Sequence, residues 1–92
     1  MSVVRLVVTG QVQGVGFRWF VRERASALGL GGWVRNRSDG AVEITVSGEA
    51  PVVDELISLV EKGPPGARIG AVRRLDPEPG PTDLPRPFVI RH

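Results

Sequence analysis

The sequence predicts an α+β sandwich: two helices packed on one face of an antiparallel sheet, in the order β-α-β-β-α-β with a short extra C-terminal strand. Three observations carry this. Two stretches place apolar residues at helical spacing. Several others are β-branched or alternate between apolar and polar. The "SDG" at 38–40 is a hairpin turn signal between two of them.

Residues 3–9, "VVRLVVT", read as a strand with Val4, Leu6 and Val8 on one face. Glycines from Gly10 to Gly16 break it. Phe17, Phe20, Val21, Ala25 and Leu28 then fall on one helical stripe, and Gly29 suits the C-terminal cap. Residues 32–38 and 41–47 pair as a hairpin. In its second strand Val42, Ile44 and Val46 alternate with Ala41, Glu43, Thr45 and Ser47, which predicts a half-buried strand. Trp33, after two glycines at a strand start, is expected in the core. Pro51 suits a first helical turn, and Val53, Leu56, Ile57 and Val60 form a second amphipathic stripe. The run Gly63-Pro64-Pro65-Gly66 ends that helix. Residues 68–75 read as a fourth strand, with Arg73 and Arg74 on a solvated edge. Five prolines in 76–87 exclude helix and central strand there and predict a stiff connection. Residues 88–91 read as a short edge strand. The order is that of the split βαβ, or ferredoxin-like, arrangement. Residues 1–92 are expected to form one domain.

Composition narrows the function. At 92 residues the chain can bury one core but not two. Apolar residues make up 41% and charged residues 24%, ordinary for a soluble globular protein. No apolar run approaches the ~20 residues of a membrane span. "MSVVRLVV" reads as a strand rather than a signal peptide, so a cytoplasmic monomer without membrane partners is expected. Cysteine is absent, which excludes disulfides, thiolate catalysis and cysteine-bound metal. The only histidine, His92, is a poor metal site and has no triad partners. Neither metal nor cofactor is expected. The cations are eleven Arg and Lys62, yet net charge is only +2. Arginine suits bidentate contact with phosphate or carboxylate, and the balance favours small anionic ligands.

"TGQVQGVGFRWF", 9–20, joins a strand end to a helix start through three glycines. A helix start has N–H groups without partners and partial positive charge, and glycines let the preceding backbone turn its own N–H groups inward. Phosphate is the expected guest. This is neither a P-loop, since no Lys-Ser/Thr follows Gly16, nor a dinucleotide fingerprint, since no third glycine follows Gly14 and Gly16. Arg18 stands at the unfavourable end of the helix dipole with Arg22 one turn on, and adjacent Glu23 is expected to offset little of this. A bound anion would turn the penalty into attraction; equally, Arg18 could lie over Trp19 as a surface residue. Asn36, in phase with Val34, is unusual inside a strand. It either supports the turn or presents an amide able to hold a water in line with a phosphorus atom.

"GQVQGVGFR" followed by "GLGGWVRNRSDGAVEI" resembles the acylphosphatase family, small enzymes that hydrolyse carboxyl-phosphate anhydrides. The similarity extends through "KGPPGARI" to the terminal "F-x-I-R". The resemblance implies that Arg18 binds the substrate phosphate. The amides of Gly14, Val15, Gly16, Phe17 and Arg18 would complete the cradle, and Asn36 would orient the attacking water. It implies no metal, cofactor or phosphoenzyme, with acyl phosphates and inorganic phosphate as the small-molecule partners. Related domains inside hydrogenase maturation factors occur in long chains with cysteine-rich zinc modules, against which a 92-residue chain without cysteine argues. The same topology serves RNA recognition, and "VGFRWFV" faintly echoes an RNA-binding strand motif. That motif needs alternate exposed aromatics on a strand, whereas these follow helical spacing, so no nucleic-acid partner is expected.

Overall fold

A computed structural model describes residues 2–14, 16–75 and 84–91. Val15, His92 and most of the proline-rich connection lie outside the described residues. The elements are β1 (Ser2–Gln11), α1 (Phe17–Ala27), β2 (Gly31–Asn36), β3 (Val42–Gly48), α2 (Ala50–Lys62), β4 (Arg68–Leu75) and β5 (Val89–Arg91). They form one five-stranded sheet in the order β4-β1-β3-β2-β5, the ferredoxin-like arrangement with an added edge strand. Four strands are antiparallel as predicted. The short extra strand, β5, runs parallel to β2. The Gly32 N–H donates to the Pro85 carbonyl at 2.7 Å, so the returning chain enters beside the start of β2 and runs with it.

Both helices bury the stripes their sequences display. Phe17, Val21 and Ala25 of α1 and Val53, Leu56 and Val60 of α2 join Leu6, Val8, Val34, Ile44 and Val46 of the sheet in one core. Phe20 and Leu28 pack at its margin. The end of α1 is a Schellman motif: Leu30 N–H donates to the Ala25 carbonyl at 2.9 Å and Gly29 N–H to that of Ser26 at 3.0 Å. Gly29 takes the left-handed φ of 73° this requires, and the following Leu30 is buried in the core.

The half-buried reading of β3 is corrected. Every residue from Val42 to Gly48 is buried, on both faces of the sheet. β3 is the central strand, so neighbours flank it on both sides, and their long side chains close over its outer face. Glu43, only 2% exposed, accepts from Arg5 Nε at 2.8 Å and from Arg35 Nη2 at 2.9 Å. Trp33 also departs from expectation. It pairs with Thr45 on that outer face, outside the core, with the guanidiniums of Arg35 and Arg91 5.3 and 5.1 Å from its ring centre.

Burial pushes the Glu43 carboxyl up, but the two guanidinium hydrogen bonds outweigh it and hold its pKa below the ordinary 4.5. A depressed folded pKa stabilises the fold above the unfolded value, and that contribution disappears as pH falls through the folded value. Wild-type stability in urea therefore declines from about pH 5 downward, and Glu43→Gln flattens that decline. At pH 7 the same variant costs about 1–2 kcal/mol, because Arg35 is half exposed and keeps water when its partner is removed. Equal pH slopes in the two proteins would refute this role for Glu43.

Candidate active site

The site begins where β1 shifts its pairing with β4. The register shifts between Thr9 and Gly10, and Gly10 has a φ of 115°. A side chain there would run into the backbone of Arg68 and Gly70, so only glycine lets the two strands approach. Beyond the shift Val12 is buried and tethers the loop to the core. Gly14 and Gly16 follow with φ of 76° and 75°, and Gly16 is the N-cap of α1. Phe20 N–H donates back to the Gly16 carbonyl at 3.0 Å, so the helix begins at once.

Among the described residues no side chain caps that helix start, and no acidic residue stands in its first turn. Phe17 is buried and fixes the turn against the core. Arg18 is half-buried in the same turn. Gly14, Gly16, Phe17 and Arg18 line one open cleft of about 510 Å³, together with Val12, Trp19, Arg22 and residues 88–90. Of the predicted cradle only Val15 lies outside the described residues. The expectation about Glu23 needs adjustment in detail: its carboxylate reaches Arg22 Nη2 at 3.4 Å although the residues are adjacent. Both side chains are exposed, so the pair is worth under about 1 kcal/mol and offsets little of the positive charge.

Asn36 is the last residue of β2 and lies opposite Val42, so it occupies the helix-bearing face in phase with buried Val34. It does not line the cleft that holds Arg18. Its Oδ1 is buried, and no donor of the described residues reaches it. Such an acceptor costs roughly 1–3 kcal/mol unless something donates to it, and a water molecule is the smallest group that can. Among the described residues no three His, Asp or Glu side chains gather in a way that could hold a metal ion.

One residue escaped the sequence reading. Gln13 Nε2 donates to the Arg37 carbonyl at 2.8 Å and to the Ala41 carbonyl at 2.9 Å. It thereby pins the glycine loop to the mouth of the β2–β3 hairpin, one residue beyond Asn36. The sequence carries little signal of it, since Gln11 is a second long amide in the same glycine-rich stretch. The hairpin turn is closed independently, by Arg37 N–H to the Ala41 carbonyl at 2.8 Å and by Ala41 N–H to Asp39 Oδ1 at 3.0 Å.

Fold and corner together define a small ferredoxin-like domain whose strand–glycine loop–helix junction is disposed toward anions. The acylphosphatase family model matches residues 4–90. An acylphosphatase of Caldivirga maquilingensis is 53% identical over 82 residues, which span 88% of this chain and 85% of that one. The crystal structure of acylphosphatase from Bacillus subtilis matches with a TM-score of 0.91 at 35% identity, covering 100% of both chains. HypF of T. kodakarensis matches 100% of this chain with a TM-score of 0.83 at 35% identity, but over 12% of its own length. The chain belongs to the acylphosphatase family, enzymes that hydrolyse acyl phosphates.

Removing the Gln13 amide should loosen the loop with little damage to the fold, since the Ala41 and Arg37 carbonyls keep other donors. Gln13→Ala is expected to cost about 1 kcal/mol in urea unfolding. The inhibition constant of inorganic phosphate should meanwhile rise several-fold. A full loss of stability with unchanged phosphate affinity would show the contact to be purely structural.

Proposed function

We propose that this chain hydrolyses acyl phosphates by water attack at phosphorus, with Arg18 and the backbone amides of Gly14, Val15, Gly16, Phe17 and Arg18 as the phosphate cradle and Asn36 as the residue that orients the water. The observation that carries the reading is the uncapped start of α1. It opens into a cleft lined by Arg18 and two left-handed glycines, in a chain of this family.

The chemistry suits what these groups can do. The water oxygen forms a bond to phosphorus as the phosphorus–carboxylate bond breaks, and the carboxylate departs with the electron pair. The water proton goes to a phosphate oxygen of the product. A carboxylate leaves readily, so catalysis rests on positioning and on stabilising the transferred oxygens. The planar guanidinium of Arg18 can grip two of those oxygens at once. The helix dipole adds to it from the same side. The buried Oδ1 of Asn36 accepts a hydrogen bond from the attacking water and fixes its approach. No metal or cofactor takes part. Residues 1–92 act as one catalytic domain, a cytoplasmic monomer whose partners are acyl phosphates and inorganic phosphate rather than nucleic acid or membrane. No helix among the described residues is long and apolar enough to cross a membrane.

Hydrolysis of acetyl phosphate in excess chelator tests the reading directly. Wild type should turn over at the same rate with and without chelator. Arg18→Ala should lower kcat/KM by about 10³-fold or more and raise the inhibition constant of phosphate. Arg18→Lys should remain impaired, since it keeps the charge and loses the fork. Asn36→Ala should lower kcat by about 10²-fold while phosphate still binds. Wild-type rates in both alanine variants, with the fold intact by circular dichroism, would refute these roles.

A further inference from the structure

Trp19 is the one large apolar side chain among the described residues that stands in solvent, 57% exposed. The core does not use it: α1 buries Phe17, Val21 and Ala25 on a different stripe. Among the described residues no ring or guanidinium stacks on it, whereas Trp33 carries two arginines. It nonetheless lines the same cleft as Gly14, Gly16 and Arg18, one residue beyond the proposed phosphate ligand. Phe88 and Val12 lie buried in that cleft's lining, and half-buried Ile90 continues the apolar surface. A phosphate held at the glycine corner leaves this apolar surface as the part of the cleft within reach of the substrate's remainder.

We propose that Trp19 is a specificity-determining residue whose ring forms the exposed wall of an acyl-group subsite, so that the enzyme selects acyl phosphates with an aromatic or bulky apolar acyl group over small ones. The proposal rests on the function proposed above and adds the substrate class. Trp offers a large rigid apolar face at low entropic cost, and a flat acyl group stacking on it buries surface that acetyl cannot. The ring is exposed before binding, so none of its burial is already used by the fold. Arg22, in the same cleft, is half exposed and already paired loosely with Glu23, which leaves it a weaker anchor than the ring.

The experiment measures kcat/KM for benzoyl, acetyl and succinyl phosphate in wild type, Trp19→Ala and Arg22→Ala. Wild type should prefer benzoyl phosphate. In Trp19→Ala the benzoyl value should fall about tenfold more than the acetyl value, the discrimination a small apolar contact supplies. An unchanged benzoyl-to-acetyl ratio overturns the proposal. So does a wild-type preference for succinyl phosphate that Arg22→Ala abolishes and Trp19→Ala leaves, which would assign an anionic acyl group instead. A second readout needs no turnover. In a Trp33→Phe background, where Trp19 is the only indole, phenylphosphonate should shift the tryptophan emission and methylphosphonate should not. Identical responses to the two also overturn it. Absence of hydrolysis of every acyl phosphate by wild type would instead refute the function on which the subsite rests.

Discussion

The site depends on the pairing of one strand. Val42 of β3 lies opposite Val8 of β1 on one side and opposite Asn36 of β2 on the other. Val8, three residues before the end of the strand that leads into the glycine loop, and Asn36, the last residue of β2, are therefore held in one row, about 10 Å apart at strand spacing. Register here cannot drift. A slip of one residue would turn Val42, Ile44 and Val46 out of the core and Glu43 into it. A slip of β2 instead would carry Asn36 to the sheet face opposite the helices. The same apolar alternation that builds the core thus sets the side on which the amide stands.

The outer face adds a second lock. Glu43 is buried among strands and survives as a carboxylate because Arg5 and Arg35 donate to it from β1 and β2. An unpartnered charge there would be costly, so any register other than the native one leaves a buried ion without its pair. The ion pairs tie together the same three strands that the Val8–Val42–Asn36 row crosses. From there Gln13 extends the connection from sheet to loop with two hydrogen bonds, and buried Val12 and Phe17 hold both ends of the loop. The loop between them is glycine-rich yet fixed at both sides. That is what a backbone anion cradle requires, since preorganised donors do not have to be ordered when the ligand arrives.

Local periodicity made much of this legible from the sequence. The stripes beginning at Phe17 and Val53, the "SDG" turn and the break at Gly63 each carry their signal within a few residues, whereas Gly10, expected to break β1, only shifts its register and the strand runs on to Gln11. The strand bounds of β4 and the helical start at Phe17 follow from the same signals. What stayed hidden depends on which strands are neighbours. Alternation in Val42–Ser47 describes a strand with one wet face, and only its central place, third of five, closes the other. Trp33 follows the same logic: its apolar ring suggests the core, but its phase opposite Val34 places it outside, where arginines from two strands cover it. The direction of β5 is set by a hydrogen bond between Gly32 and Pro85, far apart in sequence. At the site, Arg18 and Asn36 stood out because each breaks a local rule, a cation at a helix start and an amide in a strand. Gln13 breaks none and was invisible for that reason.

The two halves of the cleft answer to different constraints. The corner proposed to hold phosphate is made of backbone geometry, left-handed glycines and a helix start pinned by buried Phe17, so few residue changes could alter it without disturbing the fold. The wall beside it is made of a side chain the fold does not need. Exchanging an exposed residue on α1 costs a few tenths of a kcal/mol in stability, yet in the cleft shared with the proposed cradle it would change what rests beside the phosphorus atom. A scaffold arranged this way can keep one bond-breaking chemistry fixed while its choice of acyl group varies freely. Trp19, which the core of this chain does not use, is the exposed apolar side chain of that wall.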